Sequence, residues 1–219
     1  MTEISVEREL LKMYKLMRAH FGYRNWWPGE TSFEVCIGAI LTQNTAWSNV
    51  KKAVENLKNG KLLSSRKIFN SSNKQLSFLI KPSGYFNQKA RTLKAFCRFL
   101  IHNYNGSCSR MSKVDTSELR NKLLSVKGIG PETADSILLY ACNKPVFVID
   151  AYTKRIFSRH GFFEENIRYD RAQFFFETNL KRDISFYNDY HAQIVETGKN
   201  YCRKKPGCEA CPLKGLLTK

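Results

Sequence analysis

The chain has 219 residues, 42% of them apolar, and a net charge of +17 with a pI near 9.7. That length holds one large domain or two small lobes with a real core, which excludes a disordered tail, and the charge favours a polyanionic partner, nucleic acid first. No run of about eighteen apolar residues suggests a membrane span, and the opening MTEISVERELLKMYKLMRAHFGY is charged throughout with no signal-peptide core, so the protein is expected in the cytoplasm, or at the nucleoid in a bacterium.

Helical spacing then runs along the chain. Leu10, Leu11, Tyr14 and Met17 form a first apolar stripe. Thr31 followed by Glu34 reads as a capping box opening a helix through Leu41. That helix, FEVCIGAIL, is apolar nearly all round and should be central. Ala90, Leu93, Cys97, Leu100 and Tyr104 keep the spacing of one long helix, and Asp115 with Glu118 caps the next. Ala134, Ile137, Leu138 and Ala141 give the core face of another, and Tyr187, Tyr190, Ile194 and Tyr201 mark the last. PVFVID is the best strand candidate but has no partner strand. The expected class is all-α.

Cys36, Cys97 and Cys142 lie in apolar stretches and read as small core residues. Cys108 is isolated, whereas Cys202, Cys208 and Cys211 are clustered. An odd count without a secretion signal argues against a disulfide framework.

Leu123 to Arg159 is the most informative stretch. An apolar helix end runs into Val126-Lys127-Gly128-Ile129-Gly130, and a second helix opens at Pro131. Gly128 and Gly130 permit backbone angles that a side chain forbids and let main-chain N–H groups approach an anion. Pro131 suits the first helical turn, and the N–H groups and dipole there attract phosphate. Lys127 adds a charge. The same pattern also describes a tight turn between two core helices. Asp150 ends an apolar run and leads into a basic helix, which it can cap. All three tryptophans, Trp26, Trp27 and Trp47, lie close together in sequence, with Pro28 beside the pair. Aromatic clusters are usually core, but Arg24, Asn25, Gly29 and Glu30 put at least one ring at the surface.

The string VKGIGPETAD with VIDAYTKR resembles the helix-hairpin-helix, Gly/Pro-rich loop and Asp of the endonuclease III superfamily of DNA glycosylases. WWP, LTQNT and Pro82 to Ala90 resemble its 3-methyladenine DNA glycosylases. The likeness covers most of the chain from Trp26 to Arg159. It implies two helical lobes with a DNA-binding cleft between them: a barrel over 31–144, with the hairpin at about 117–142, and a second lobe from 1–30 plus 145–219.

The resemblance also implies a monomeric enzyme that releases a damaged base from double-stranded DNA. Asp150 would stabilise the positive charge on the sugar and orient water. Glu132 stands where strand-nicking members carry a Schiff-base lysine. A carboxylate cannot form that imine, so the expected enzyme is monofunctional, acting on alkylated purines. The rivals are a glycosylase/lyase for oxidised pyrimidines and a non-catalytic binder of damaged DNA. Trp26, Trp27, Pro28, Trp47 and Glu132 are the pocket candidates for a flipped, cationic base. Gln43 would fill the gap that the flipped nucleotide leaves. Asn87, Lys89, Lys127, Gly128 and Gly130 would meet the DNA backbone, though Lys89 could equally be a solvated lysine.

Many superfamily members hold a [4Fe–4S] cluster with four tail cysteines. Here Cys202, Cys208 and Cys211 are present and the fourth position falls on Leu217. A [4Fe–4S] cluster with another donor, a [3Fe–4S] cluster, zinc with His191 as extra ligand, or no metal at all remain open. A cluster would be structural, setting Arg203, Lys204 and Lys205 against phosphate.

Overall fold

Short polar side chains mark most helix starts, where the first backbone N–H groups lack intrahelical partners. In the computed structural model, which describes residues 3–24, 26 and 29–216, Thr31, Ser64, Ser72, Ser107, Asp115, Asp150 and Asp183 each accept a hydrogen bond from a first-turn N–H. The helices are α1 (Glu3–Phe21), α2 (Ser32–Leu41), α3 (Trp47–Asn59), α4 (Ser65–Asn70), α5 (Asn73–Leu79), α6 (Phe86–Tyr104), α7 (Cys108–Met111), α8 (Thr116–Leu124), α9 (Pro131–Ser136), α10 (Ala151–Arg159), α11 (Tyr169–Asn179) and α12 (Ile184–Asn200). Among the described residues there is no strand, and the class is all-α. No described helix is long and apolar enough to cross a membrane.

The chain divides into two units, Met1–Trp26 with Pro145–Lys219, and Trp27–Lys144. The second is built round α2. Every residue of α2 from Val35 to Leu41 is buried, as a helix apolar on all sides requires. It is packed by α3, α6, α7, α9 and the π-helical turn Ile137–Ala141 that continues α9. Ala90, Leu93, Cys97, Leu100 and Tyr104 form the buried face of α6, as their spacing predicts. Cys36, Cys97, Cys108 and Cys142 are all buried free thiols.

The other unit has an aromatic core. Phe147 stacks on Phe176 with ring centres 4.2 Å apart, and Phe157 meets Phe176 edge-on at 4.7 Å. Tyr187 and Tyr190 on α12 complete it. Buried Asp189 accepts from the Tyr14 hydroxyl at 2.8 Å and the Arg24 N–H at 2.9 Å, tying α1 and the segment after it to α12.

The apolar run Val146–Ile149 is buried but pairs with no strand. Buried backbone groups still need partners, and α11 with its first residue supplies them. Glu177 accepts from the Phe147 N–H at 3.0 Å, Gln173 donates to the Phe147 carbonyl at 2.9 Å, and the Tyr169 hydroxyl accepts from the Ile149 N–H at 3.3 Å. This rail ends at Asp150 and fixes where its side chain starts.

Candidate active site

Asp150 is the N-cap of α10. Its Oδ1 accepts from the Thr153 N–H at 2.7 Å and the Thr153 hydroxyl at 2.8 Å. Its Oδ2 faces the imidazole Nε2 of buried His191 at 3.6 Å. The carboxylate is 11% exposed. Burial alone would raise its pKa, but His191 and the Thr153 donors outweigh it and hold the carboxyl below the ordinary value. The result is a fixed, ionised carboxylate with a small solvent-facing edge, suited to stabilising a developing cation or orienting water.

The capping role of Asp150 was legible in the sequence, and Thr153 is the residue it caps through. His191 was not legible in this role, since the sequence offered it as an extra ligand for the cysteine tail. It stands beside Asp150 instead, and among the described residues no three His, Cys, Asp or Glu side chains gather closely enough to share one metal ion.

In the other unit, α8 and α9 flank the hairpin. Gly128 has φ +91°, and a Cβ there would lie 2.2 Å from Thr92 Oγ1, so only glycine fits. Gly130 has an ordinary φ of −95° and open space where a Cβ would be. Gly128→Ala should therefore cost about 1–3 kcal/mol from backbone strain alone. Gly130→Ala should stay within about 0.5 kcal/mol of the parent. Urea denaturation of the two variants checks this, and equal midpoints would refute the steric assignment.

Lys127 is exposed beside the turn, and Glu132 is exposed in the first turn of α9, where an acidic side chain suits the dipole. Gln43, just past α2, donates from Nε2 to the Gly128 carbonyl at 3.1 Å and to Thr133 Oγ1 at 2.9 Å. The residue expected to fill a DNA gap braces the hairpin in this structure. Asn87 is exposed in the first turn of α6.

Lys89 corrects an expectation. It is 3% exposed, and its ammonium donates to the Leu41 carbonyl at 2.8 Å and the Ser83 carbonyl at 2.7 Å. Burial lowers its pKa to about 8. It ties α6 to the end of α2, and so buried a charge cannot reach a phosphate.

The described tryptophan candidates belong to different units. Trp26 belongs to the unit of Asp150, with Lys199 Nζ 5.2 Å from its ring centre. Trp47 opens α3 in the hairpin's unit and lines a cavity of about 410 Å³ with Glu30, Glu34, Gly38 and Val54. Trp27 and Pro28 lie outside the described residues, as does Leu217.

Cys202, Cys208 and Cys211 line one cavity of about 210 Å³ together with Ile156, Arg159 and His160. Arg159 Nη1 donates to Cys202 Sγ at 3.3 Å, and Arg155 Nε donates to the Cys202 carbonyl at 2.6 Å. Burial pushes the Cys211 thiol up, and Cys202 and Cys208 push it further. A single zinc ion fits poorly, since it needs its thiolates at about 2.3 Å from one centre and no three ligand side chains among the described residues meet that closely. A body of several atoms fits better. The three cysteines line a space far larger than the ~10–15 Å³ that one water needs, and an arginine N–H already serves the Cys202 sulfur.

Known proteins resemble this chain along most of its length. A protein of Methanocaldococcus jannaschii, provisionally named a DNA repair glycosylase, is 50% identical over 207 residues, 94% of each chain. The crystal structure of H. pylori 3-methyladenine DNA glycosylase bound to 1,N6-ethenoadenine superposes with a TM-score of 0.74 at 30% identity, covering 91% of this chain and 98% of that one. An endonuclease III–DNA complex shares the fold, with a TM-score of 0.82 at 22% identity over 99% of this chain and 95% of that one. The family model for HhH-GPD superfamily base excision DNA repair proteins matches residues 37–182, the stretch that runs from α2 through the hairpin and Asp150 into the segment after α11, and the chain belongs to that superfamily as a DNA glycosylase acting on DNA.

Proposed function

We propose that the protein is a monofunctional, monomeric, cytoplasmic glycosylase that hydrolyses the N-glycosidic bond of alkylated purines, such as 3-methyladenine, in double-stranded DNA. The hairpin at Lys127, Gly128 and Gly130, with Asn87, holds the backbone, and Gln43 occupies the space that the flipped nucleotide leaves. Trp26, Trp27, Pro28, Trp47 and Glu132 are the residues assigned to the base, and tryptophan faces favour a cationic purine. Asp150 stabilises the sugar cation and directs water to C1′. A cationic base leaves readily, so no protein acid has to protonate it.

What carries the hydrolytic reading is Glu132, exposed in the first turn of α9 where a lyase would need a nucleophilic amine. The purine preference is supported by the similarity to the H. pylori enzyme. The tail is read as the holder of an iron–sulfur cluster on Cys202, Cys208 and Cys211, supported by the one cavity that all three line. Such a cluster, when bound, would anchor the tail, and no step of base release passes through it.

Duplex DNA treated with a methylating agent tests this reading. Free 3-methyladenine should appear, with the strand intact until mild alkali is added. Strand cleavage without alkali, or an adduct trapped by borohydride, would replace the hydrolytic reading with a lyase. No base released from a wide panel of lesions, despite tight binding, would leave only a damaged-DNA binder.

A further inference from the structure

The tail has three cysteines, and an iron–sulfur cube commonly has four protein ligands. The C-cap residue of α10, His160, lines the same cavity as the three cysteines. Its Nδ1 is 3.3 Å from the carbonyl oxygen of Leu216, the residue before Leu217. A carbonyl oxygen only accepts, so a hydrogen bond there places the ring proton on Nδ1 and leaves the Nε2 lone pair free. Metal-bound histidines commonly show this arrangement, one nitrogen on the metal and the other N–H on a carbonyl. The ring is thus tied to Leu216 and lines one cavity with the three cysteines.

We propose that His160 Nε2 is the fourth protein ligand of an iron–sulfur cluster whose other ligands are Cys202, Cys208 and Cys211. This rests on the reading of the tail as a cluster site. The Nε2 lone pair binds one iron, the Nδ1 proton stays on the Leu216 carbonyl, and no proton is released by the imidazole. The consequence is architectural. Helix α10 then carries Asp150 at its first end and a cluster ligand at its last, with Arg155 and Arg159 holding Cys202 between them. The cluster would clamp the helix that presents the carboxylate.

The test uses the full chain, purified without oxygen and reconstituted with iron and sulfide. Iron and sulfide are counted, and the reduced protein, grown with isotope-labelled histidine, is examined by pulsed electron paramagnetic resonance. Expected are about four irons per chain, as a [4Fe–4S] cluster requires, and a hyperfine coupling to histidine nitrogen. His160→Ala should lose the coupling and retain several-fold less iron. His160→Cys should recover the iron but not the coupling. Circular dichroism of both variants separates ligand loss from misfolding, and the cysteine variant carries the test if the alanine variant fails to fold. A wild-type cluster of four irons without the coupling, kept in full by His160→Ala, would overturn the role of His160 and leave the cluster standing. Three irons would mean that the thiolates act without it. A protein that takes up no iron would overturn the cluster reading itself.

Discussion

Asp150→Asn should release alkylated purines about 10²–10³-fold more slowly than the parent, the scale of removing one preorganised electrostatic group, while the protein keeps its fold. Asparagine caps helices about as well as aspartate. Its amide oxygen can still accept from the Thr153 N–H and hydroxyl that now hold Oδ1. What disappears is the charge. Single-turnover base release from methylated duplex, with thermal unfolding measured alongside, separates the two roles. A variant that unfolds early and is slow for that reason would make Asp150 a cap first. A variant that is stable and fully active would remove it from the chemistry.

The same carboxylate predicts a pH signature. Its pKa is lower in the folded protein than in the unfolded chain, because the stabilising partners outweigh burial. Its ionisation therefore stabilises the fold above the unfolded value of about 3.9, and that contribution is lost as pH falls through the lower folded value. Base release should accordingly show no acid limb from Asp150 near neutrality. His191→Gln removes the group facing Oδ2 at 3.6 Å and leaves burial less opposed, so the limb should move to higher pH. A limb that stays in place would mean that Thr153 alone sets the ionisation.

The helices were legible because caps and apolar spacing are local signals. Thr31 and Asp115 start α2 and α8 where their side chains promised, and the buried face of α6 falls on the residues whose spacing marked it. Other features depend on partners distant in sequence. The run before Asp150 looked like a strand without a mate, and its backbone is satisfied by side chains of Tyr169, Gln173 and Glu177, which no pairing rule anticipates. Lys89 read as a DNA-backbone contact or a solvated lysine, and only the fold brings two carbonyl oxygens to it. His160 and His191 are single histidines without periodicity, so their positions beside the cysteines and Asp150 come from packing alone.

The hairpin depends on a charge pair that lies behind it. Arg120 on α8 donates from Nε at 2.7 Å and from Nη2 at 3.0 Å to the two carboxylate oxygens of Asp135 on α9. The Asp135 side chain is fully buried and that of Arg120 is 26% exposed. Geometry of this kind is strong because both bonds are charge-assisted and form together. Its removal is costly because a buried carboxylate loses the counter-charge that Arg120 supplies, about 3–5 kcal/mol in comparable cases. The partial exposure of Arg120 lets water reach one side, so Arg120→Met should fall near the lower end, about 3 kcal/mol. Urea denaturation measures that loss. Replacing both residues, as Arg120→Met with Asp135→Leu, should recover most of it, because the penalty comes from the stranded charge and not from the absent bond. If the double variant is as unstable as the single one, the pair is holding the two helices in register by its geometry. Its loss should then also weaken DNA binding at Lys127 and Gly130, whose positions α8 and α9 jointly set.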